Sequence, residues 1–112
     1  MGLQSVTRRQ HHRFRQPELS IQLNGLDGMT RDWSLGGVAV NLAKETLGGL
    51  RVRDRVSGAL GPDGAPKHFD FSGRVVRVDK ERNLVAIEFE KLSEGAVMMF
   101  VNFFRTMMSG AA

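Results

Sequence analysis

Between residues 18 and 92 the chain is a succession of short apolar or β-branched runs, each cut off by a glycine-containing turn tract, and this cadence limits the fold more than any other feature. Glu18-Leu19-Ser20-Ile21-Gln22-Leu23 alternates polar and apolar with the period of two of a half-buried strand. Asn24-Gly25 and Asp27-Gly28 tolerate positive φ, so a first hairpin follows, with a return strand from Met29 to Trp33 or Ser34. Gly36-Gly37 interrupts it, Val38 to Leu42 forms a third short strand, and Gly48-Gly49 breaks the pattern again. Leu50 to Leu60 holds a fourth extended stretch, ended by the turn tract Gly61-Pro62-Asp63-Gly64. His68 to Val78 and Leu84 to Phe89, rich in β-branched and aromatic residues, flank a polar turn over Asp79 to Asn83. Six strands in close succession make the chain mainly β, a small antiparallel barrel or sandwich.

At Ser93 the period changes. Ser93-Glu94-Gly95-Ala96 reads as a helix start, and Val97, Phe100, Val101, Phe104 and Met108 fall at helical spacing, which predicts a C-terminal α-helix over 93–108 and a disordered tail over 109–112. Residues 1–16 hold too few apolar positions to fold alone and read as a flexible basic arm that enters the domain at Pro17. The barrel with its helix therefore spans 17–108, one domain whose 41% hydrophobic content is enough for a single core. Ala96, Val97, Met99, Phe100, Val101, Phe103, Phe104, Met107 and Met108 give the helix a wider apolar surface than one face of a small barrel needs. The surplus suits a protein effector or a homodimer contact.

Several function classes fall away on composition. The chain has no cysteine, so thiolate catalysis, thiolate metal sites and disulfides are excluded. No run approaches the roughly 20 apolar residues of a transmembrane helix, and the N-terminus lacks the apolar centre of a secretory signal, so a soluble cytoplasmic protein is expected. His11 and His12 are adjacent and cannot easily face one metal, and His68 is isolated, so neither metal nor cofactor is expected. His68 and Asp70 share a strand face, yet no nucleophile with a base and an orienting group accompanies them; the chain does not read as an enzyme.

The formal net charge of +4 is concentrated in the arm. Arg8, Arg9, Arg13 and Arg15 lie there with no acid, while residues 18–112 carry twelve basic and twelve acidic side chains. A guanidinium fork matches phosphate oxygens and the O6 and N7 acceptors of guanine, and its face stacks on bases. Downstream, Asp32-Trp33-Ser34-Leu35-Gly36-Gly37 bunches a carboxylate, a hydroxyl and two glycines. In an extended segment Asp32 and Ser34 point to one side of the sheet, and Gly36 and Gly37 permit close backbone approach. A carboxylate repels phosphate but accepts from the N1 and N2 donors of guanine. Both tracts therefore point to a guanine nucleotide. Arg51, Arg53 and Arg55 alternate along the predicted fourth strand, where a solvated basic stripe is the expectation; Arg74 and Arg77 either approach the ligand or flank strand positions.

Arg9-x-x-x-Arg13 ahead of the first strand, followed by Asp32-x-Ser34-x-x-Gly37, resembles the PilZ domain of bacterial cyclic di-GMP receptors. The resemblance covers nearly the whole chain and implies a six-stranded antiparallel β-barrel with a C-terminal helix. It also implies that Arg9 and Arg13 grip phosphates and guanine faces of cyclic di-GMP, while Asp32, Ser34, Gly36 and Gly37 hold a guanine on the barrel. Arg8, immediately before the first tract, is similar to the arginine of members that bind an intercalated pair of ligands, which implies two per protomer. Ligand binding would order the arm and pass the second-messenger signal to a protein effector. Two readings compete: a small basic barrel for single-stranded nucleic acid, disfavoured by one tryptophan, no tyrosine and balanced charge outside the arm, and a PilZ-like interaction module that binds no ligand.

Overall fold

The computed structural model describes residues 12–110. Six strands, β1 (Leu19–Leu23), β2 (Leu26–Trp33), β3 (Gly37–Asn41), β4 (Arg55–Pro62), β5 (Phe69–Asp79) and β6 (Leu84–Leu92), close into an antiparallel barrel in the order β1-β2-β3-β6-β5-β4. A one-turn helix α1 (Lys44–Leu47) lies on the crossover from β3 to β4, and α2 (Glu94–Gly110) follows the barrel. Closure comes from β1 pairing with β4, Leu19 against Pro62 through Leu23 against Gly58, so no strand edge is left along the ring.

The first hairpin turns on Asn24 and Gly25 alone, both at positive φ, with Leu23 opposite Leu26. Asp27-Gly28, read as a second turn, lies inside β2. A Cβ on Gly28 would meet the Asn41 carbonyl oxygen and the Leu42 side chain, so the glycine serves close strand packing there. Leu19, Ile21 and Leu23 alternate into the core and meet Val38, Val40, Val56, Leu60, Val75, Val85 and Ile87, all of them almost wholly buried.

The expected fourth strand over Leu50 to Leu60 begins only at Arg55. Arg51 to Asp54 form a turn in which the Asp54 carboxylate accepts from the Arg51 backbone N–H at 2.9 Å, and Arg53 sits at φ 81°. The alternating Arg51-Arg53-Arg55 stripe therefore does not exist as a strand face. Asp54, which interrupts the arginines in sequence, is the residue that folds them back.

At the start of α2, Ser93 Oγ accepts from the Ala96 N–H at 3.2 Å, the N-terminal cap anticipated from sequence. Ala96, Met99 and Phe100 are buried, with Phe103, Phe104 and Met107 packed against the same core. Gly95 brings the helix start onto the Phe69 ring, where a Cβ would collide. The helix continues through Ser109 and Gly110, into the stretch where the sequence predicts a disordered tail. Among the helix residues whose burial is described, the exposed large apolar side chains are Val97 and Met98, at 38% and 51%. No helix among the described residues is long and apolar enough to cross a membrane.

Candidate functional site

The candidate site is built where the arm meets the end of β2. Thr30 points inward, 1% exposed, and its Oγ1 accepts the Leu19 N–H at 2.9 Å. The β2–β3 register then shifts: Thr30 pairs with Val40 and Asp32 with Ala39, leaving Arg31 as the extra residue of a bulge. Strict alternation would have placed Asp32 on Thr30's inner face; the bulge turns its carboxylate outward and returns Trp33 to the core.

The arm docks on this strand end. Phe14 and Trp33 form an isolated antiparallel bridge, the Phe14 N–H donating to the Trp33 carbonyl at 2.8 Å and the Trp33 N–H to the Phe14 carbonyl at 2.9 Å. Trp33 Nε1 also donates to the Pro17 carbonyl at 2.9 Å, tying down the entry to β1. Phe14 lies on the Trp33 ring at 5.2 Å between centroids and on Phe104 of α2 at 5.4 Å, and Trp33 itself meets Phe100 and Phe103. Of the sixteen residues assigned to a flexible arm, residues 1–11 lie outside the described ones, while Phe14 is fixed by two backbone hydrogen bonds and an aromatic cluster.

Side chains alternate across such a bridge, so with Phe14 and Trp33 inward, Arg13 and Asp32 share the outer face. Nε and Nη2 of Arg13 both reach Asp32 Oδ1 at 2.6 Å. The two side chains are 46% and 23% exposed, and an ion pair this open to water is worth no more than about 1 kcal/mol. It holds the two groups in register without locking either.

Ser34 does not share this face. It lies beyond the last residue of β2 and is 1% exposed, with Oγ accepting from the Gly36 and Gly37 N–H groups at 3.1 and 3.2 Å. The Ser34 N–H donates to the Gly37 carbonyl at 2.8 Å, and the Gly36 carbonyl accepts from Phe89 of β6 at 2.9 Å. A Cβ on Gly37 would run into the Ile87 carbonyl oxygen. The expectation that Ser34 and Asp32 stand side by side on a sheet face thus gives way to a division: Asp32 faces solvent, and Ser34, Gly36 and Gly37 build the turn that carries it against β6.

Of the residues singled out from sequence, Arg13, Asp32, Ser34, Gly36 and Gly37 are brought together, and Arg8 and Arg9 lie outside the described residues. Phe14 and Trp33, which position the pair, were missed. The only signal for Phe14 was its lone apolar character between Arg13 and Arg15. Among the described residues no three His, Asp or Glu side chains gather in metal-binding geometry.

The family model for the PilZ domain matches residues 7–105. No curated protein matches the chain. Among solved structures, the chain is similar to the Bacillus subtilis inhibitor of motility, MotI/DgrA, at 18% sequence identity and a TM-score of 0.68. That likeness covers 91% of this chain and 52% of the other, so the chain spans about half the length of that protein, and at this identity the likeness concerns the fold.

Proposed function

Because the chain belongs to the PilZ domain family, whose model matches residues 7–105, we propose that it is a cyclic di-GMP receptor that works as an adaptor, without catalysis of its own. The observation that carries this reading is the meeting of its two tracts: Arg13 and Asp32, nineteen positions apart, touch at 2.6 Å on the outer face of the barrel. They are complementary to a guanine nucleotide as well as to each other. Asp32 accepts from the N1 and N2 donors of a guanine, and Arg13 with Arg9 takes the phosphates and the guanine face. Each partner exchanges a solvent-exposed ion pair for charge-assisted bonds to the ligand, and the weakness of that pair makes the exchange inexpensive. Ser34, Gly36 and Gly37 contribute through the turn they build, which holds the Asp32 end of β2 against β6.

The arm upstream of Phe14 closes over the dianionic ligand and becomes ordered, changing the surface offered to a protein effector. Arg8 brings in a second, intercalated ligand. Calorimetry on the purified chain tests both points. Arg13→Ala and Asp32→Ala each weaken cyclic di-GMP binding more than tenfold with the barrel still folded; unchanged affinity in both overturns the site. Two ligands per chain are expected, falling to one in Arg8→Ala, whereas one per chain in the parent protein removes the ligand pair. Saturating ligand should slow proteolysis within the arm, and equal cleavage rates with and without it would remove the ordering step. Binding to an RNA oligonucleotide, if seen, should collapse with salt while cyclic di-GMP binding persists.

A further inference from the structure

α2 carries a second stripe on the side turned away from the barrel. At about 100° per residue, Glu94, Val97, Met98, Val101 and Arg105 fall within an arc of about 100°. Ala96, Met99, Phe100, Phe103 and Met107, which face the core, lie on the opposite side. Val97 and Met98 are 38% and 51% exposed and Val101 is half-buried, so the centre of the outer stripe is apolar and open. Its two ends are charged and exposed, and neither Glu94 nor Arg105 has an ion-pair partner among the described residues. Glu94 suits the positive end of the helix dipole. Arg105 stands before the last turn, which holds no basic residue, so the dipole accounts for only one of the two charges.

The order along the stripe is self-complementary. Glu94 and Arg105 are equidistant from the midpoint between Met99 and Phe100, and so are Met98 and Val101. A twofold axis through that midpoint, perpendicular to the helix, sets a second copy of α2 antiparallel to the first. Glu94 then meets Arg105 of the second copy, Met98 meets Val101, and each contact occurs twice. A parallel pair would oppose Glu94 to Glu94 and Arg105 to Arg105. We infer that this face of α2 is a homodimer interface, formed by antiparallel pairing of two copies, with Val97, Met98 and Val101 enclosed at its centre and an ion pair between Glu94 and Arg105 at each end. A foreign protein would require no palindromic order; a second copy does. The two charges lie about 16 Å apart along the helix, each about 8 Å from the axis. Over so short a reach, helices crossing at the shallow angle of about 20° common in bundles stay close enough for both pairs to form. Burial of the valines and methionines supplies the attraction, and the ion pairs set the direction. Neither contact involves Arg13 or Asp32, so the pairing stands whether or not the chain binds cyclic di-GMP.

Sedimentation equilibrium of the full chain from about 10 μM to about 1 mM, a range that captures a small interface, tests the pairing. The parent is expected to pass from monomer to dimer across this range. Met98→Glu, at an exposed position, should weaken dimerisation more than tenfold with circular dichroism unchanged. Glu94→Arg and Arg105→Glu, each alone, should also weaken it roughly tenfold, because both ends then oppose like charges. An equimolar mixture of these two variants should recover the dimer, since every end again joins opposite charges. Should a charge reversal disturb the helix, the milder Glu94→Gln and Arg105→Gln are each expected to weaken pairing a few-fold, and parent-like pairing in both overturns the register. A parent chain that stays monomeric at about 1 mM overturns the homodimer and leaves the face to another protein. A dimer that survives Met98→Glu overturns the interface, and a mixture that fails to recover overturns the antiparallel register.

Discussion

Arg13 and Phe14 are neighbours in sequence, and so are Asp32 and Trp33, yet the two pairs they form across the arm obey different physics. The outer pair, Arg13 with Asp32, is polar, open to water and weak. The inner pair, Phe14 with Trp33, is aromatic, bound by two backbone hydrogen bonds and continuous with Phe100, Phe103 and Phe104 of α2. Position is thereby secured by contacts that a ligand does not touch, and recognition is left to groups that exchange partners at little cost. A site built the other way, with a strong ion pair on a loosely seated arm, would be slow to release its own arginine and would present it in no fixed place.

Substitutions can break this contrast in order of size. Trp33→Ala should be the most damaging to the fold, destabilising it by about 3–5 kcal/mol in denaturant titration, because it empties the centre of the aromatic cluster. A loss below about 1 kcal/mol would mean that the inner pair is not the anchor. Gly37→Ala comes next, at about 1–3 kcal/mol, since its methyl meets the Ile87 carbonyl and must push β3 from β6. Asp32→Ala should change stability by less than about 0.5 kcal/mol while lowering affinity for cyclic di-GMP more than tenfold, and a comparable fall in both would erase the distinction between the faces. Phe14→Ala, at a half-buried position, should cost about 1 kcal/mol and also weaken ligand binding, because Arg13 loses its mooring; unaltered affinity would show that Arg13 finds its place unaided. Smallest is the ligand-free coupling between Arg13 and Asp32, which a double-mutant cycle should put below about 1 kcal/mol.

The strands were legible because alternation such as Leu19, Ile21, Leu23 and turn pairs such as Asn24-Gly25 are local signals. The same logic misled at Arg51 to Arg55, where arginines alternate as they would on a strand while Asp54 caps a turn. Closure of the ring was not legible from pattern, since the pairing of Leu19 with Pro62 joins residues far apart in sequence and leaves no local mark on either. At the site, residue types were readable and their division of labour was not. Asp32 and Ser34 look equivalent on a page; one bulge at Arg31 and one turn at Gly36 send the first to solvent and the second to the interior. Phe14 escaped because its partners, Trp33 and Phe104, are distant in sequence, and a single aromatic in a basic stretch has no period to betray it.

The chain has one tryptophan, and it is the residue on which Phe14 rests. Its indole is wholly buried, with its N–H held by the Pro17 carbonyl. Lifting the arm from that ring would wet a single, uniquely assignable chromophore, so emission wavelength and quenching by a soluble collider report the arm's seating without any label. The protein thus carries an optical gauge at the joint between its arm and its C-terminal helix, readable in the same cuvette in which a ligand is added.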